Sequence, residues 1–254
     1  MAEPRILSIP STAHPGGGGV VLDSALPTGE APWRWLEPAA YGDTARAVQG
    51  RGGRGAAWFV RLPDGTDGVL RQYRRGGVPA RLGARELYLW QGEHRTRCLR
   101  EFRLLRRLAG AGLPVPQALA AGWWRAGGLW YRQALLTRRL DGTRSLAESL
   151  QANDTDIPWP ELGRTLARFH LAGVGHPDLN AHNILLDAAL QPWLIDFDRA
   201  GDGPLAAGQA AANLARLQRS IRRITRDPVP PPGWEQLQAA WRAAMASGTP
   251  GCAP

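Results

Sequence analysis

The second half of the chain contains polar residues whose types and spacing suit phosphoryl transfer. His176, Asp178 and Asn183 match the pattern H-x-D-L-x-x-x-N, and Asp196 follows in the run LIDFD. In a chain of this composition, H-x-D-x-x-x-x-N is expected by chance only about 0.004 times. We therefore take these residues as the candidate reaction centre.

Phosphoryl transfer gives each of these residue types a task. The reaction needs a carboxylate beside the attacking hydroxyl, and it needs oxygen ligands that hold Mg²⁺ against the phosphates. Asp178 suits the first task, and Asn183 and Asp196 suit the second. We expect all three to be catalytic, with Asn183 and Asp196 as the metal ligands. His176 is expected to brace the loop by hydrogen bonds, and His182 to pack beneath it.

A glycine-rich run in the first half is a second candidate. Gly50, Gly52, Gly53 and Gly55 contain the pattern G-x-G-x-x-G just before a predicted hairpin. The pattern alone is weak, since about 0.4 to 0.5 matches are expected by chance. No βαβ unit with an acidic residue about 20 positions on follows it, which disfavours a dinucleotide-binding fold. A phosphate-covering loop between strands and a plain surface loop both remain open.

The composition indicates a folded protein with anionic partners. The chain has 254 residues, and its 31 basic residues, all arginine, outnumber 22 acidic ones to give a net charge of +9. Such a charge favours association with nucleotides, phosphorylated lipids, acidic membrane surfaces or nucleic acid. Two cysteines are too few for a disulfide framework and fit a reducing compartment. No apolar run is long enough to span a membrane, and no export signal is visible.

The elements that must position these residues fall into an α+β arrangement with two lobes. We expect a flexible arm over 1–32 with one strand at most, a strand-rich lobe over 33–137, a helical lobe over 138–245 and a disordered tail over 246–254. Strand-forming runs flank Pro63-Asp64-Gly65 and Ala126-Gly127-Gly128, which predicts two hairpins. Helical spacing predicts helices that end near Gly110, begin at Pro160 and extend from Asn213 to Arg226.

The fuller set of motifs resembles a known family. The strings LRQYRRGG, REFRLLRRL, LPVPQ, HPDLNAHNILLD and WLIDFDRA, spread over about residues 33 to 226, are similar to those of the 3-deoxy-D-manno-octulosonic acid (Kdo) kinases of the protein-kinase-like superfamily. The resemblance implies a two-lobed kinase fold that uses ATP and Mg²⁺. It also implies transfer of the γ-phosphate to the 4-hydroxyl of Kdo in Kdo-lipid IV(A), at the cytoplasmic face of the inner membrane of a Gram-negative bacterium.

The same resemblance assigns further residues to the nucleotide. The loop from Gly50 to Gly55 corresponds to the phosphate cover, and Arg71 stands where protein kinases place a lysine that contacts the α- and β-phosphates. Glu101 is the expected partner of Arg71, with Glu86 as the second candidate and a surface pair with Arg97 as the alternative role of Glu101. Asp198 replaces the glycine of D-F-G, and the A-P-E motif is absent, which disfavours protein substrates.

Several alternatives stay open from the sequence. The acceptor could be another small hydroxylated molecule, such as a core heptose or an aminoglycoside. A non-catalytic basic module, either a pseudokinase or a nucleic-acid binder, is the competing class. We expect peripheral contact of arginine patches with an anionic membrane surface, no nucleic acid and no protein partner. The apolar face of the helix from Asn213 to Arg226 is either core or a membrane-facing surface.

Overall fold

The computed structural model describes residues 4–14, 16–24, 26, 31–48, 55–73, 87–198, 200 and 205–248. The chain divides into two compact units. Unit 1 comprises residues 1–110 and 116–139, and unit 2 comprises residues 111–115 and 140–254. The change at 139/140 lies close to the boundary of 137/138 expected from the sequence. In the described parts of the chain, no helix combines the length and apolar character needed to cross a membrane.

Unit 1 is built on an antiparallel sheet of eight strands. The spatial order is β1-β2-β7-β8-β5-β4-β3, and β6 pairs with the beginning of β8. The strands are β1 (Arg5–Ile9), β2 (Gly18–Leu22), β3 (Arg46–Ala47), β4 (Gly55–Arg61), β5 (Asp67–Tyr73), β6 (Tyr88–Leu89), β7 (Ala118–Arg125) and β8 (Trp130–Arg138). Short 3₁₀ turns at Pro32–Leu36, Pro38–Thr44 and Glu93–Arg95 connect them.

Both predicted hairpins are present. In the first, β4 and β5 pair from Gly55↔Tyr73 to Arg61↔Asp67. Their turn is held by the Thr66 N–H, which donates to Asp64 Oδ1 at 2.8 Å. Gly65 supplies the positive φ of +83° that this turn needs. The second hairpin joins β7 to β8.

The expectation of an N-terminal arm is corrected for residues 5–22. β1 and β2 form a hairpin, and β2 pairs with β7 along its whole length. Gly18 and Gly19, in the glycine-rich run that suggested a flexible segment, instead allow close packing of β2 against β7. A Cβ on Gly18 would lie 2.2 Å from the carbonyl oxygen of Trp123, and one on Gly19 would lie 2.3 Å from the indole of the same residue. Only glycine lets β2 approach β7 this closely.

One helix, α1 (Arg97–Gly110), packs its apolar face on this sheet. Cys98 is buried at its first turn, where its N–H donates to Gln133 Oε1 at 3.0 Å. An ion pair ties the second half of the helix to the end of β2, since Arg106 Nη1 lies 2.6 Å from Asp23 Oδ2. The helix ends at the predicted glycine, Gly110.

Unit 2 contains four helices and a small sheet among its described residues. The helices are α2 (Leu146–Ala152), α3 (Trp159–Leu171), α4 (Gln209–Thr225) and α5 (Gly233–Ser247). The sheet has the order β11-β10-β9, with β9 (Arg144–Ser145), β10 (Ile184–Leu186) and β11 (Pro192–Leu194). Helix α5 reaches two residues into the predicted tail, and residues 249–254 lie outside the described residues.

Two local features position helices α3 and α5: the C-terminal cap of α3 and the close packing between the two helices. Helix α3 (Trp159–Leu171) has the predicted proline in its first turn and is followed, after its C-cap Ala172, by Gly173 with φ +75°. The N–H of Gly173 donates to the His170 oxygen, and that of Val174 to the Phe169 oxygen, which is a Schellman cap. Helices α3 and α5 pack so closely that a Cβ on Gly163 would lie 2.2 Å from the Leu237 oxygen. Gly163 is therefore a packing residue.

Candidate functional site

The candidate catalytic loop leads from helix α3 to strand β10 and ends in a 3₁₀ turn at Ala181–Asn183. Asn180 caps that turn, because its Oδ1 accepts the N–H groups of His182 at 2.9 Å and Asn183 at 3.2 Å. The loop is thus closed by its own side chains. His182 is exposed, which corrects the expectation that it packs beneath the loop.

The loop brings Asp178 and Asn183 together. Asn183 Nδ2 donates to the main-chain oxygen of Asp178 at 2.9 Å, and Asn180 Nδ2 donates to the same oxygen at 3.0 Å. These bonds fix the backbone of Asp178 and leave its exposed carboxylate without a hydrogen bond to any described residue. An acceptor hydroxyl can therefore reach this carboxylate.

His176 braces the loop, as the sequence predicted. Its Nδ1 accepts the N–H of Asp178 at 3.3 Å, so the ring proton sits on Nε2, which donates to the Ile195 oxygen at 2.8 Å. The side chain is 2% exposed. Burial lowers the pKa of His176, and this outweighs the Ile195 hydrogen bond and the Asp196 and Asp178 charges, which raise it. The ring is therefore a neutral support and not a base.

The residue before Asp196, Ile195, is hydrogen-bonded to the candidate catalytic loop. The Ile195 N–H donates to the Asn183 oxygen at 3.1 Å, while the Ile195 oxygen accepts from His176. Both ends of the catalytic loop are thus bonded to the residue before Asp196. Asp196 itself has φ +67°, a left-handed conformation that non-glycine residues adopt at a cost and that often marks functional sites. The structure therefore joins Asp178 and Asn183 within one loop, and this loop is hydrogen-bonded to the residue before Asp196.

The phenylalanine after Asp196 anchors this turn in the core. Phe197 is 1% exposed, and its ring centroid lies 4.7 Å from that of His176 and 5.9 Å from that of Phe169. Asp198, in the position of the D-F-G glycine, follows at a partly buried site.

A buried polar chain behind the loop was missed by the sequence analysis. Asn213, on helix α4 and 3% exposed, accepts the His176 N–H on its Oδ1 at 2.8 Å. His170 Nε2 lies 3.4 Å from the same oxygen. The indole Nε1–H of Trp241, on helix α5, donates to His170 Nδ1 at 2.9 Å. Hydrogen bonds thus run from α5 to the catalytic loop.

One more contact joins α4 to the loop. Ser220 Oγ accepts the Ala181 N–H at 3.1 Å. The sequence held a signal for Asn213, because it is a polar residue beside the apolar stripe of Leu214 and Leu217. Nothing in the sequence singled out Ser220.

The donor set of the loop fits Mg²⁺. Because Nδ2 of Asn183 is committed to the Asp178 oxygen, Oδ1 is the atom left for a ligand, and no described residue donates to it. Asp196 adds a carboxylate. The described residues contain no group of three or more His, Cys, Asp or Glu suited to a metal. An amide and one carboxylate, completed by phosphate oxygens and water, match the way Mg²⁺ is commonly bound.

In unit 1 the structure joins Arg71 and Glu101. Arg71 Nη2, on strand β5, contacts Glu101 Oε2, on helix α1. The Tyr73 hydroxyl donates to the same carboxylate oxygen at 2.5 Å, and the Arg71 guanidinium lies 4.7 Å from the Tyr73 ring centroid. Tyr73 was missed by the sequence analysis, although residues two apart in a strand share a face. Arg97 instead lies over the Tyr88 ring, at 5.2 Å.

The remaining predicted nucleotide residues are mostly beyond the described structure. Gly50, Gly52, Gly53 and Glu86 lie outside the described residues. Gly55 is the first residue of strand β4.

Comparison with known proteins shows the family of this chain. Residues 39–241 match the model of the lipopolysaccharide kinase (Kdo/WaaP) family. A 3-deoxy-D-manno-octulosonic acid kinase of Xanthomonas campestris pv. campestris is 47% identical over 236 residues, which cover 91% of this chain and 93% of that protein. A kinase of the same name from Xylella fastidiosa is 48% identical over 206 residues, 81% of each chain.

Solved structures show the fold. A WaaP structure, in complex with acyl carrier protein, covers 88% of both chains with a TM-score of 0.57 and 19% identity. An amicoumacin kinase, in complex with AMP-PNP, Ca²⁺ and amicoumacin, covers 84% of this chain and 77% of its own with a TM-score of 0.58 and 11% identity. The predicted α+β kinase-like fold is confirmed. The chain therefore belongs to the lipopolysaccharide kinase (Kdo/WaaP) family, and it is a phosphotransferase that acts on a hydroxyl group.

Proposed function

We propose that this protein transfers the γ-phosphate of ATP to the 4-hydroxyl of Kdo in Kdo-lipid IV(A). The observation that carries the proposal is the joining of Asp178 and Asn183 within one loop that is hydrogen-bonded to the residue before Asp196. The 47% identity to a kinase named for 3-deoxy-D-manno-octulosonic acid supports this acceptor.

In this reaction Asp178 accepts the proton of the sugar hydroxyl as the hydroxyl oxygen attacks the γ-phosphorus, and the bond from that phosphorus to the bridging oxygen breaks so that ADP leaves. Its exposed carboxylate, on a backbone fixed by Asn180 and Asn183, suits that task. Asn183 Oδ1 and the Asp196 carboxylate would hold Mg²⁺, which offsets negative charge on the phosphates. His176 stays neutral throughout and keeps the loop in place.

Arg71 would contact the α- and β-phosphates of ATP. A guanidinium can hold phosphate oxygens in a bidentate manner, and its contact with Glu101 fixes its direction. The glycine loop, Gly50, Gly52, Gly53 and Gly55, would cover the phosphates with backbone N–H groups. Both roles follow the family resemblance.

The test is incubation of the purified protein with labelled ATP, Mg²⁺ and Kdo-lipid IV(A). We expect label in the lipid fraction, and mass spectrometry should place it on the 4-hydroxyl. Asp178→Asn should lower turnover by about 10²- to 10⁴-fold with ATP affinity nearly unchanged. Asp156→Asn, at an exposed aspartate of the same unit, is the matched control and should keep full activity.

Other outcomes would redirect the proposal. If label instead appears on an acceptor that contains heptose but no Kdo, the proposed acceptor is wrong and heptose takes the place of Kdo. Full turnover of Asp178→Asn would refute the role of Asp178. Strong DNA binding that weakens with salt, without nucleotide turnover, would instead support a basic binding module.

The proposal includes peripheral contact with the anionic inner-membrane surface. The β7–β8 hairpin and β6 expose an apolar tip made of Leu89, Leu129 and Trp130, which are 46%, 64% and 40% exposed. Leu89 pairs with Trp130 across the two strands. Arg132 is exposed two residues further along β8, on the same face as Trp130. Tryptophan and leucine beside arginine are typical of residues that enter the interface of an anionic bilayer.

A flotation assay tests this contact. We expect the protein to float with anionic vesicles more than with neutral ones, and the double variant L129S/W130S to lose that difference. Val229→Ser removes an equally exposed apolar residue from unit 2 and is the control. Failure of the wild-type protein to bind either vesicle would contradict membrane contact. The buried residues Leu214, Leu217 and Ile221 make the apolar face of helix α4 part of the core, which excludes it as the membrane surface.

A further inference from the structure

Helix α4 touches the catalytic loop along a narrow stripe. Asn213 accepts the His176 N–H, and Ser220, seven residues later, accepts the Ala181 N–H. Seven residues are close to two helical turns, so these two side chains lie on the same side of the helix. The axis of α4 therefore runs alongside the loop that carries Asp178.

The two flanks of this stripe differ in character. On one flank Leu214, Leu217 and Ile221 are buried in the core of unit 2. On the other flank are three arginines, which we call the arginine row: Arg216, Arg219 and Arg223. Around the helix axis, measured from Asn213, they lie at about 60°, 120° and 80° in that order.

The arginine row carries charge that the described structure does not neutralise. Arg216 is partly buried beside the loop, while Arg219 and Arg223 are exposed. None of the three has an acidic partner within 4.0 Å among the described residues. Arg216 lies about one helical turn after Asn213, the residue that accepts the His176 N–H of the loop. Three cations thus line the flank of α4 next to the catalytic loop.

We propose that the arginine row binds the anionic groups of the acceptor glycolipid, with Arg216 closest to the sugar that reacts at Asp178. This inference rests on the proposed function and names its acceptor-binding residues. The hydroxyl must lie at Asp178, and the carboxylate of the same sugar acid is then only a few ångströms away. From Arg216 to Arg223 the helix rises about 10 Å, which suits a ligand with several separated anionic groups.

Arginine is suited to this task. Its guanidinium forms paired, charge-assisted hydrogen bonds with carboxylate and phosphate, and it remains charged at every working pH. A contact of this kind is worth about 10- to 100-fold in affinity.

Steady-state kinetics with Kdo-lipid IV(A) tests the row. We expect Arg216→Gln to raise the KM for the acceptor about 10-fold or more, with the KM for ATP within about twofold of the wild-type value. Arg216→Lys should restore part of the affinity. Arg222→Gln is the matched control, since Arg222 is exposed on the same helix about 180° from Asn213. An equal effect of Arg222→Gln, or an unchanged acceptor KM in the triple variant R216Q/R219Q/R223Q, would overturn the inference.

The anion that the row binds has two sources within the acceptor. Free Kdo carries the carboxylate and no phosphate, so a weaker interaction of Arg216→Gln with free Kdo assigns this residue to the carboxylate. An effect seen only with Kdo-lipid IV(A) assigns the row to the lipid phosphates. If the variants lose affinity only in proportion to their loss of binding to anionic vesicles without acceptor, the row is a membrane contact and the inference is wrong.

Direct binding separates this inference from the proposed function. Wild-type protein that transfers no phosphate to Kdo refutes the proposed function. Binding of Kdo-lipid IV(A) without nucleotide then tests the arginine row independently of turnover. Retained binding in the triple variant overturns the inference that the row binds the acceptor, and lost binding supports it. Circular dichroism should show unchanged helix content, because glutamine is as good a helix former as arginine.

Discussion

The pair between Arg71 and Glu101 allows a sharp prediction about stability. The Glu101 side chain is 2% exposed and the Arg71 side chain 22%, so removal of the guanidinium leaves a buried carboxylate that keeps its hydrogen bond from the Tyr73 hydroxyl but loses its neighbouring positive charge. Loss of one partner of a buried pair costs about 3 to 5 kcal/mol. Because Arg71 is partly hydrated, we expect the lower end, about 3 kcal/mol, for Arg71→Met.

A double-mutant cycle separates this cost from lost packing. In R71M/E101L both charges are gone, and the penalty should fall to about 1 to 2 kcal/mol, which reflects the Tyr73 hydroxyl left without its acceptor. Adding Tyr73→Phe should recover most of that remainder. The measurement is denaturant unfolding near neutral pH without nucleotide, followed by tryptophan fluorescence.

The control is an exposed pair on helix α3. Arg164 contacts Glu161 at 2.8 Å with a side chain that is 54% exposed. Arg164→Met should cost only about 0.3 to 0.5 kcal/mol. If Arg71→Met costs no more than this control, or if the double variant is less stable than the single one, the assignment of a buried, mutually dependent pair is refuted.

Three further predictions concern unit 2. Burial lowers the pKa values of His170 and His176, so below about pH 6.5 the unfolded chain binds more protons than the folded one. The free energy of unfolding should therefore fall on acidification by up to about 1.4 kcal/mol per pH unit for each histidine. An unchanged stability in a pH series of denaturant melts would contradict this. In Asn213→Ala the His176 N–H loses its acceptor, so kcat should fall while the KM for ATP stays within about twofold. The unpaired N–H should also lower the free energy of unfolding by about 1 to 3 kcal/mol. Steady-state rates and a thermal melt measure these two effects. Gly163→Ala should destabilise the protein by more than about 2 kcal/mol through its clash with Leu237, whereas Gly112→Ala, at an open site with φ +70°, should cost only about 1 kcal/mol.

The sequence was most informative where chemistry constrains spacing. Asp178, Asn183 and Asp196 could be proposed as site residues because each residue type has one task in phosphoryl transfer and the distances along the chain are short. The pairing of Arg71 with Glu101 was predicted from the family resemblance, together with the position of Glu101 at the edge of the buried stripe of its helix.

The support behind the loop could not be predicted from the sequence. Asn213, His170 and Trp241 lie far apart along the chain, and only the packing of α4 and α5 brings them to the loop. The N-terminal strands were missed for a different reason. A glycine-rich run predicts flexibility when read alone, and its true role at Gly18 and Gly19 depends on Trp123, more than a hundred residues away.

The arginine at position 71 has a practical consequence for how the enzyme can be detected and modified. Nucleotide reagents that acylate an amine in the ATP site depend on a nucleophilic lysine, and this chain contains no lysine at all. A guanidinium stays protonated and does not react in this way. Amine-directed nucleotide probes should therefore leave this chain unlabelled, and its 254 residues offer no lysine ε-amine for acetylation.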